Sequence, residues 1–368
     1  MYRNLLRPLL FLFDEEFGHK LIIKLLRLFY VLPGARLLVR GLIGRDCAQL
    51  PVEVMGLKFP NPVGLAAGLD KDATCVRAFT DMGFGCVETG TVTPERQTGN
   101  PRKRLYRLKD QRAIINRMGF PSVGVKRFVR NLQRHTIGGI VGINIGKNRT
   151  TPLKQAKEDY LTAMRAVYPY ADYIAVNVSS PNTPHLRDLQ KGAALEALLV
   201  ALKDEQIMQT KTRRHYVPLA VKIAPDIDDD AISAIATLVT KHKIDAVIAT
   251  NSTVQRPGIE DQLLASEGGG LSGQPLKALS TEVIRKLYHH LKGQVPIIGV
   301  GGVETAADAW EKMVAGADLI QVYTAFIYEG PAVARRIIRG LHRQVRAAGF
   351  TSLQEAVNKA RTGVHLMR

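Results

Sequence analysis

Between residues 62 and 324 one pattern recurs eight times: a short continuous apolar run that closes on a polar residue or glycine, followed by a helix-like segment. The runs are "PVGLAAGLDK" (62–71), "GCVETGT" (85–91), "GIVGINIG" (139–146), "YIAVNVS" (173–179), "PLAVKIA" (218–224), "DAVIATN" (245–251), "PIIGVGG" (296–302) and "DLIQVYT" (318–324). A strand with one wet face alternates apolar and polar residues. These runs do not, so they read as parallel strands covered on both faces. Eight βα units predict an α/β fold, a (β/α)₈ TIM barrel, whose usual size is about 250 residues.

In that fold the functional groups sit at the C-terminal ends of the strands. The closing residues are Lys71, Thr91, Asn144, Asn177, Lys222, Thr250 with Asn251, Gly301 with Gly302, and Tyr323 with Thr324. Any one of them can be a turn former or a helix cap. Eight together point to one shared pocket. Glycine-rich turns at "EGGGLSG" (267–273), before the helix after strand six, and at "GVGGVET" (299–305) offer backbone N–H groups to a phosphate. No GxGxxG follows a strand, which disfavours a Rossmann dinucleotide site.

The first 45 residues are a different material, rich in Leu, Ile and Phe but punctuated by Arg3, Arg7, Lys20, Lys24, Arg27, Arg36, Arg40 and Arg45. A spanning helix needs about 20 nearly uncharged residues, and no such run exists here. Arg7 and Pro8 also interrupt any secretory signal. Helical spacing puts Phe17, Leu21, Leu25, Leu28 and Leu32 on one face and Lys20, Lys24 and Arg27 towards another, and Pro33-Gly34 divides the segment. Two short amphipathic helices are expected, either lying on a membrane surface or capping the main domain. The expected division is an amphipathic segment at 1–45 and a catalytic barrel at 46–368.

The balance of 51 Lys+Arg against 33 Asp+Glu leaves +18 and favours anionic partners. Nucleic acid is disfavoured, because the basic residues are dispersed and only 6% of residues are aromatic. An anionic membrane surface and acidic small molecules remain. The three cysteines, Cys47, Cys75 and Cys86, form no CxxC and pair with no His at ligand spacing, so no disulfide framework and no metal site is expected.

The motifs "AAGLDKD", "GTVTP" with "GNP", "NRMGF", "GINIGKN", "NVSSPNTP", "VKIAPD", "IATNST", "GGGLSG", "GVGG" and "VYTAF" occur in the order and spacing of the dihydroorotate dehydrogenases. With its amphipathic extension the chain resembles their membrane-associated, quinone-dependent class 2. That resemblance implies oxidation of dihydroorotate to orotate in pyrimidine synthesis, with bound FMN taking the hydride and a membrane quinone re-oxidising it. Ser180 matches the family's catalytic base. The soluble classes carry cysteine there, and none of the three cysteines lies near it.

The resemblance assigns the substrate to Lys71, Asn116, Arg117, Met118, Gly119, Phe120, Asn177, Asn182, Asn251 and Ser252, the last standing where relatives often carry Thr. It assigns FMN to Ala67, Gly68, Leu69, Asp70, Lys71, Thr91, Asn144, Asn177, Lys222, Thr250, Gly273, Gly302, Tyr323 and Thr324. His19, Arg107 and Tyr323 match positions near the quinone head. A monomer on the cytoplasmic face of a bacterial inner membrane is expected, since no transit-like leader precedes the helices. The competing readings are a soluble fumarate- or NAD-linked form of the same enzyme, a phosphate-binding aldolase with a Schiff base on Lys71 or Lys222, and a basic non-enzymatic scaffold.

Overall fold

The computed structural model describes residues 2–47, 49–134 and 138–363. Met1 and residues 364–368, the outer ends of the two expected spans, lie outside them. Eight parallel strands close into a barrel: β1 (Val63–Leu65), β2 (Cys86–Val92), β3 (Ile140–Ile145), β4 (Tyr173–Asn177), β5 (Leu219–Ile223), β6 (Ala246–Ala249), β7 (Ile297–Val300) and β8 (Leu319–Val322). Each pairs with its sequence neighbours, and β8 pairs back onto β1. Except for Ile140, every residue in them is buried. Helices cover one side and the barrel interior the other, which is why the runs are continuous rather than alternating.

Seven of the eight strands fall inside the expected runs, β2 extends one residue past its run to Val92, and the first is shorter than expected. It ends at Leu65, so Lys71 is delivered by a loop and not by a strand end. Register does the rest. Gly90 lies opposite Asn144 and Asn177 opposite Lys222, so polar residues from adjacent strands meet at one level.

Five further short strands have no counterpart in the sequence reading. Val52–Val54 and Leu57–Phe59 form a hairpin. Its two-residue turn, Met55-Gly56, has φ of 56° and 73°, as the tight hairpin turn requires. Leu105–Leu108, Ala113–Asn116 and Gly270–Gly273 form an antiparallel sheet with Ala113–Asn116 in the middle. The glycine run at 267–273 therefore does not simply turn into a helix; its last four residues are an edge strand. A Cβ at Gly270 would sit 2.0 Å from Ser252 Oγ, so glycine is what lets this strand close down on the loop after β6.

The extension begins with a helical stretch at Tyr2–Leu6 that continues into α1 (Arg7–Leu10), neither of them read from the sequence. Asp14 then caps α2 (Glu15–Phe29), its Oδ1 accepting from the N–H of Glu16 and Phe17 at 3.1 and 3.0 Å. Gly34, at φ 83°, turns the chain into α3 (Ala35–Leu42). Ile23, Leu26 and Phe29 pack against the barrel core. Buried Glu16 is clamped by Arg104 through two bonds of 2.9 and 2.8 Å and by Lys20 at 2.7 Å. The Arg104 guanidinium holds its carboxyl down at about 2. Phe17, Leu25, Leu28 and Leu32 are exposed, as are Val31, Leu37, Leu38 and Leu42, whereas Leu21 is half-buried. The segment thus caps the barrel with one apolar face and presents another. No helix among the described residues is long and apolar enough to cross a membrane.

Candidate active site

A cavity of about 1050 Å³ opens at the C-terminal ends of the barrel strands. Ala67, Gly68 and Lys71 enter it from the loop after β1, Thr91 from β2, Asn177 from β4 and Lys222 from β5. Ser180 and Asn182 come from the loop after β4, and Thr250, Asn251 and Ser252 follow β6. Gly302 follows β7, and Tyr323 and Thr324 follow β8. The antiparallel sheet and the loop after it supply Asn116, Met118, Gly119, Phe120 and Gly273.

The other expected residues stand outside this lining. Leu69 is in the core. Asp70 is buried and holds its own loop, accepting from the N–H groups of Thr74 and Cys75 at 2.8 Å each, while burial pushes its carboxyl up to about 6. Asn144 lies behind the wall, where its Oδ1 accepts from Thr91 Oγ1 at 2.5 Å and from Asn177 Nδ2 at 3.2 Å. Arg117 reaches instead for Glu267 at 2.5 Å and stacks on Tyr106. Its charge finds a carboxylate there, which explains why it departs from its "NRMGF" neighbours.

At one end of the cavity the side-chain amides orient one another. Asn177 Oδ1 accepts from Ser179 N and Oγ at 3.2 and 3.0 Å. Asn251 Nδ2 donates to Ser179 Oγ at 3.0 Å, and Asn182 Nδ2 donates to Asn116 Oδ1 at 3.1 Å. Asn116 and Asn182 use fewer sites than an amide has and so retain capacity for a ligand in a fixed direction, whereas Asn177 and Asn251 spend theirs on Thr91, Asn144, Ser179, Ser252 and each other. Ser180 is buried, and its Oγ accepts from Asn182 N at 3.3 Å. No carboxylate or imidazole bonds to that hydroxyl among the described residues. The whole end is braced by Arg187, which donates to Ser179 O and Ser252 O at 3.0 Å each and pairs with Asp226 at 2.8 Å, tying together the loops after β4, β5 and β6.

The floor of the cavity is charged. Lys222 Nζ lies 3.3 Å from Glu88 Oε1, inside the barrel, and Asn144 Nδ2 donates to the same oxygen at 2.8 Å. Gln321 Nε2 and the Tyr173 hydroxyl donate to Glu88 Oε2 at 2.7 and 3.1 Å. Lys222 thus has both a carboxylate partner and a place in the cavity lining. Gln321 also lines the cavity, with its Oε1 buried and without a hydrogen-bond partner among the described residues. Beyond it, Gly302 has φ 69° and a Cβ there would sit 2.5 Å from Lys277 Cβ. Only glycine lets that turn lie close enough to expose its backbone.

The extension meets the cavity at the Gly68–Lys71 loop. Lys71 Nζ donates to Gly68 O, and burial holds the amine down at about 8. His19 from α2 bonds to the Leu69 backbone, and burial, aided by the Lys71 charge, holds its imidazole at about 3. Tyr323 packs on Gly68, and burial pushes its hydroxyl up to about 12. Arg107 is further out, 4.4 Å over the Phe11 ring and bonded to Phe13 O. All three cysteines are buried and free. No cluster of three metal-ligating side chains exists among the described residues. Glu88, Ser179, Arg187, Asp226 and Gln321 were not singled out from the sequence, where a lone Glu in "CVETG" or Gln in "LIQVY" carries no signal beyond an unexpected polar residue in an apolar run.

A family model described as dihydroorotate dehydrogenase (DHODH) matches residues 49–345. A curated dihydroorotate dehydrogenase (quinone) of Nitrosomonas europaea is 51% identical over 349 residues, covering 95% of this chain and 100% of that protein. The protein of the same name from Idiomarina loihiensis is 49% identical over 338 residues, covering 92% and 99%. Among solved structures, Eimeria tenella DHODH in complex with ferulenol superposes with a TM-score of 0.85 at 39% identity, covering 94% of this chain and 95% of that one. The chain belongs to the dihydroorotate dehydrogenase family, in its quinone-dependent class.

Proposed function

We propose that the chain oxidises dihydroorotate to orotate, the redox step of pyrimidine synthesis, with FMN held in the barrel cavity and a membrane quinone as the final electron acceptor. One observation carries the reading: a single cavity has a ring of oriented amides with a buried serine at one end and a lysine, glycine turns and hydroxyls at the other. The residues present fit FMN. Gln321 Oε1 is a buried acceptor without a partner among the described residues, the Gly302 turn lines the cavity, and Lys222 brings positive charge to the floor. Thr91, Thr250, Gly273, Gly302 and Thr324 would hold it, with Tyr323 and Gly68 at the side facing the extension. When bound, FMN supplies the acceptor for the hydride leaving carbon six of the substrate.

The chain's own groups do the rest. Asn116, Asn177, Asn182 and Asn251 hold the flat ring by its amide edges and carboxylate, and Lys71 adds a positive charge for that carboxylate. Ser180 Oγ takes the proton from carbon five. It has no acid–base partner of its own among the described residues, so the proton must leave through water. The Arg187–Asp226 brace keeps these loops in register.

Residues 1–45 are proposed as a separate anchoring segment on the barrel of 46–368. Exposed Phe17, Leu25, Leu28, Val31 and Leu32 would enter an anionic membrane surface as a peripheral attachment, on the cytoplasmic face, by a monomer. His19 and Tyr323 both touch the Gly68–Lys71 loop, a short route for electrons from the cavity to a quinone under the extension. A Schiff-base aldolase is disfavoured, because Lys222 is tied to Glu88 and is not a free amine. A fumarate- or NAD-linked form is set aside by the quinone-dependent class.

The test is the visible spectrum of the purified protein under anaerobic conditions. A yellow flavin should bleach on adding dihydroorotate and recover on adding a ubiquinone. A flavin that does not bleach overturns the substrate, and one that recovers with fumarate or NAD but not quinone overturns the acceptor.

A further inference from the structure

A second cavity, open to solvent, lies where the C-terminal part of α2 faces the barrel helices α4 (Val76–Asp81) and α5 (Val125–Gln133). It shares no lining residue with the active-site cavity. Five guanidinium groups line it: Arg27 from α2, Arg36 from α3, Arg77 from α4, Arg127 from α5 and Arg134 just beyond that helix. One lining residue, Asp72, is acidic. Asp81 is the other nearby carboxylate, and one of its oxygens is already shared by Arg36 at 3.2 Å and Arg77 at 3.7 Å. Arg27, Arg127 and Arg134 form no ion pair among the described residues. The Tyr30 hydroxyl lines the cavity too and faces Asp81.

Five like charges drawn from four elements repel, and two carboxylates leave three of them uncompensated. An anion with several oxygens relieves that repulsion, and the planar fork of arginine matches phosphate oxygens in particular. The surroundings favour a phosphate that carries an apolar tail. Val31 lines the cavity and is 76% exposed, and Leu28 and Leu32 beside it are 64% and 59% exposed. Arg27, Arg36, Arg127 and Arg134 are themselves exposed, so a bilayer surface can reach them. We propose that this cavity binds the phosphate headgroup of an anionic membrane lipid, with the acyl chains lying along the exposed leucines of α2.

The proposal rests on the membrane reading above, and the experiment separates the two. Partition of the holoenzyme onto phosphatidylcholine vesicles, with and without phosphatidylglycerol, is compared for the unaltered chain, R127Q/R134Q and a control pair of equal charge, K211Q/R213Q, on the exposed end of a distant helix. Unaltered flavin reduction by dihydroorotate shows that each variant is folded. The cavity pair should lose about tenfold or more on phosphatidylglycerol vesicles, and the control pair less than about threefold. R127K/R134K, which keeps the charge but not the planar fork, should recover part of the loss. If R127Q/R134Q does not fold, R134Q alone should show about fivefold.

Equal loss by both pairs means diffuse attraction and overturns the site. The free-anion alternative is tested by melting without vesicles. Stabilisation of the unaltered chain by inorganic phosphate at matched ionic strength, absent in R127Q/R134Q, would overturn the lipid as occupant. An unaltered chain that binds neither vesicle overturns the membrane reading itself.

Discussion

Lys222→Met should expose the tension built into the barrel floor. Glu88 has no exposed surface, and Lys222 is the cation that faces it, at 3.3 Å. With an effective dielectric of about 20, that separation of 3.3 Å corresponds to an attraction of ~5 kcal/mol. Removing one member of a buried pair costs ~3–5 kcal/mol by experience with other proteins, so the two routes agree. The remaining partners of Glu88, namely Asn144, Tyr173 and Gln321, are neutral donors that lessen the cost without cancelling the charge. The assay is urea unfolding of flavin-stripped protein, so that ligand binding does not enter the comparison. Lys222→Met should lose ~3–5 kcal/mol, and adding Glu88→Gln should recover at least about half of it. FMN affinity should stay low in the double variant, because the positive charge on the cavity floor is still missing. A single variant that costs under ~1 kcal/mol, or a second substitution that recovers nothing, would refute the coupling of the pair.

Ser180→Ala should keep FMN bound yet slow flavin reduction by about 10²–10⁴-fold, the usual loss for a general base, and near-normal reduction in stopped flow would remove the role. Deleting residues 1–45 should abolish quinone turnover and vesicle binding while sparing reduction by dihydroorotate. Flavin loss from that truncation would show instead that the segment is needed as a cap. Lys71 carries its positive charge below its pKa of about 8 and loses it above, so kcat/KM for dihydroorotate should fall as pH rises through about 8. Lys71→Gln should be low and lack that limb, and a flat profile for the unaltered chain from about pH 7 to 10 would refute the assignment.

The barrel was legible because its signal is local and repeated. Eight apolar runs with polar ends survive inspection one residue at a time, and each barrel strand lies within one residue of its expected run. The small sheet was not legible, since strands of four residues such as Gly270–Gly273 owe their conformation to a partner more than 150 residues away. Glycine there looks like a turn, and only the close approach of Ser252 shows why a strand needs it. The site divides in the same way. Amides and hydroxyls at strand ends could be listed from the sequence, but Asn144 and Arg117 occur in the same kinds of motif and are not part of the lining, Asn144 standing one layer behind Thr91 and Asn177 and Arg117 pairing with Glu267.

By itself the sequence determined the fold class, the strand order, the amphipathic character of the extension and most of the residues that reach the cavity, because each follows from short-range pattern and from the rule that barrel strands end at the site. The tertiary structure decided which charges meet. Glu88 with Lys222, Glu16 with Arg104, Arg187 with Asp226 and the five arginines around the second cavity are all joined across long stretches of chain. Pairing energy depends on distance and burial, and neither is set until the chain has closed on itself.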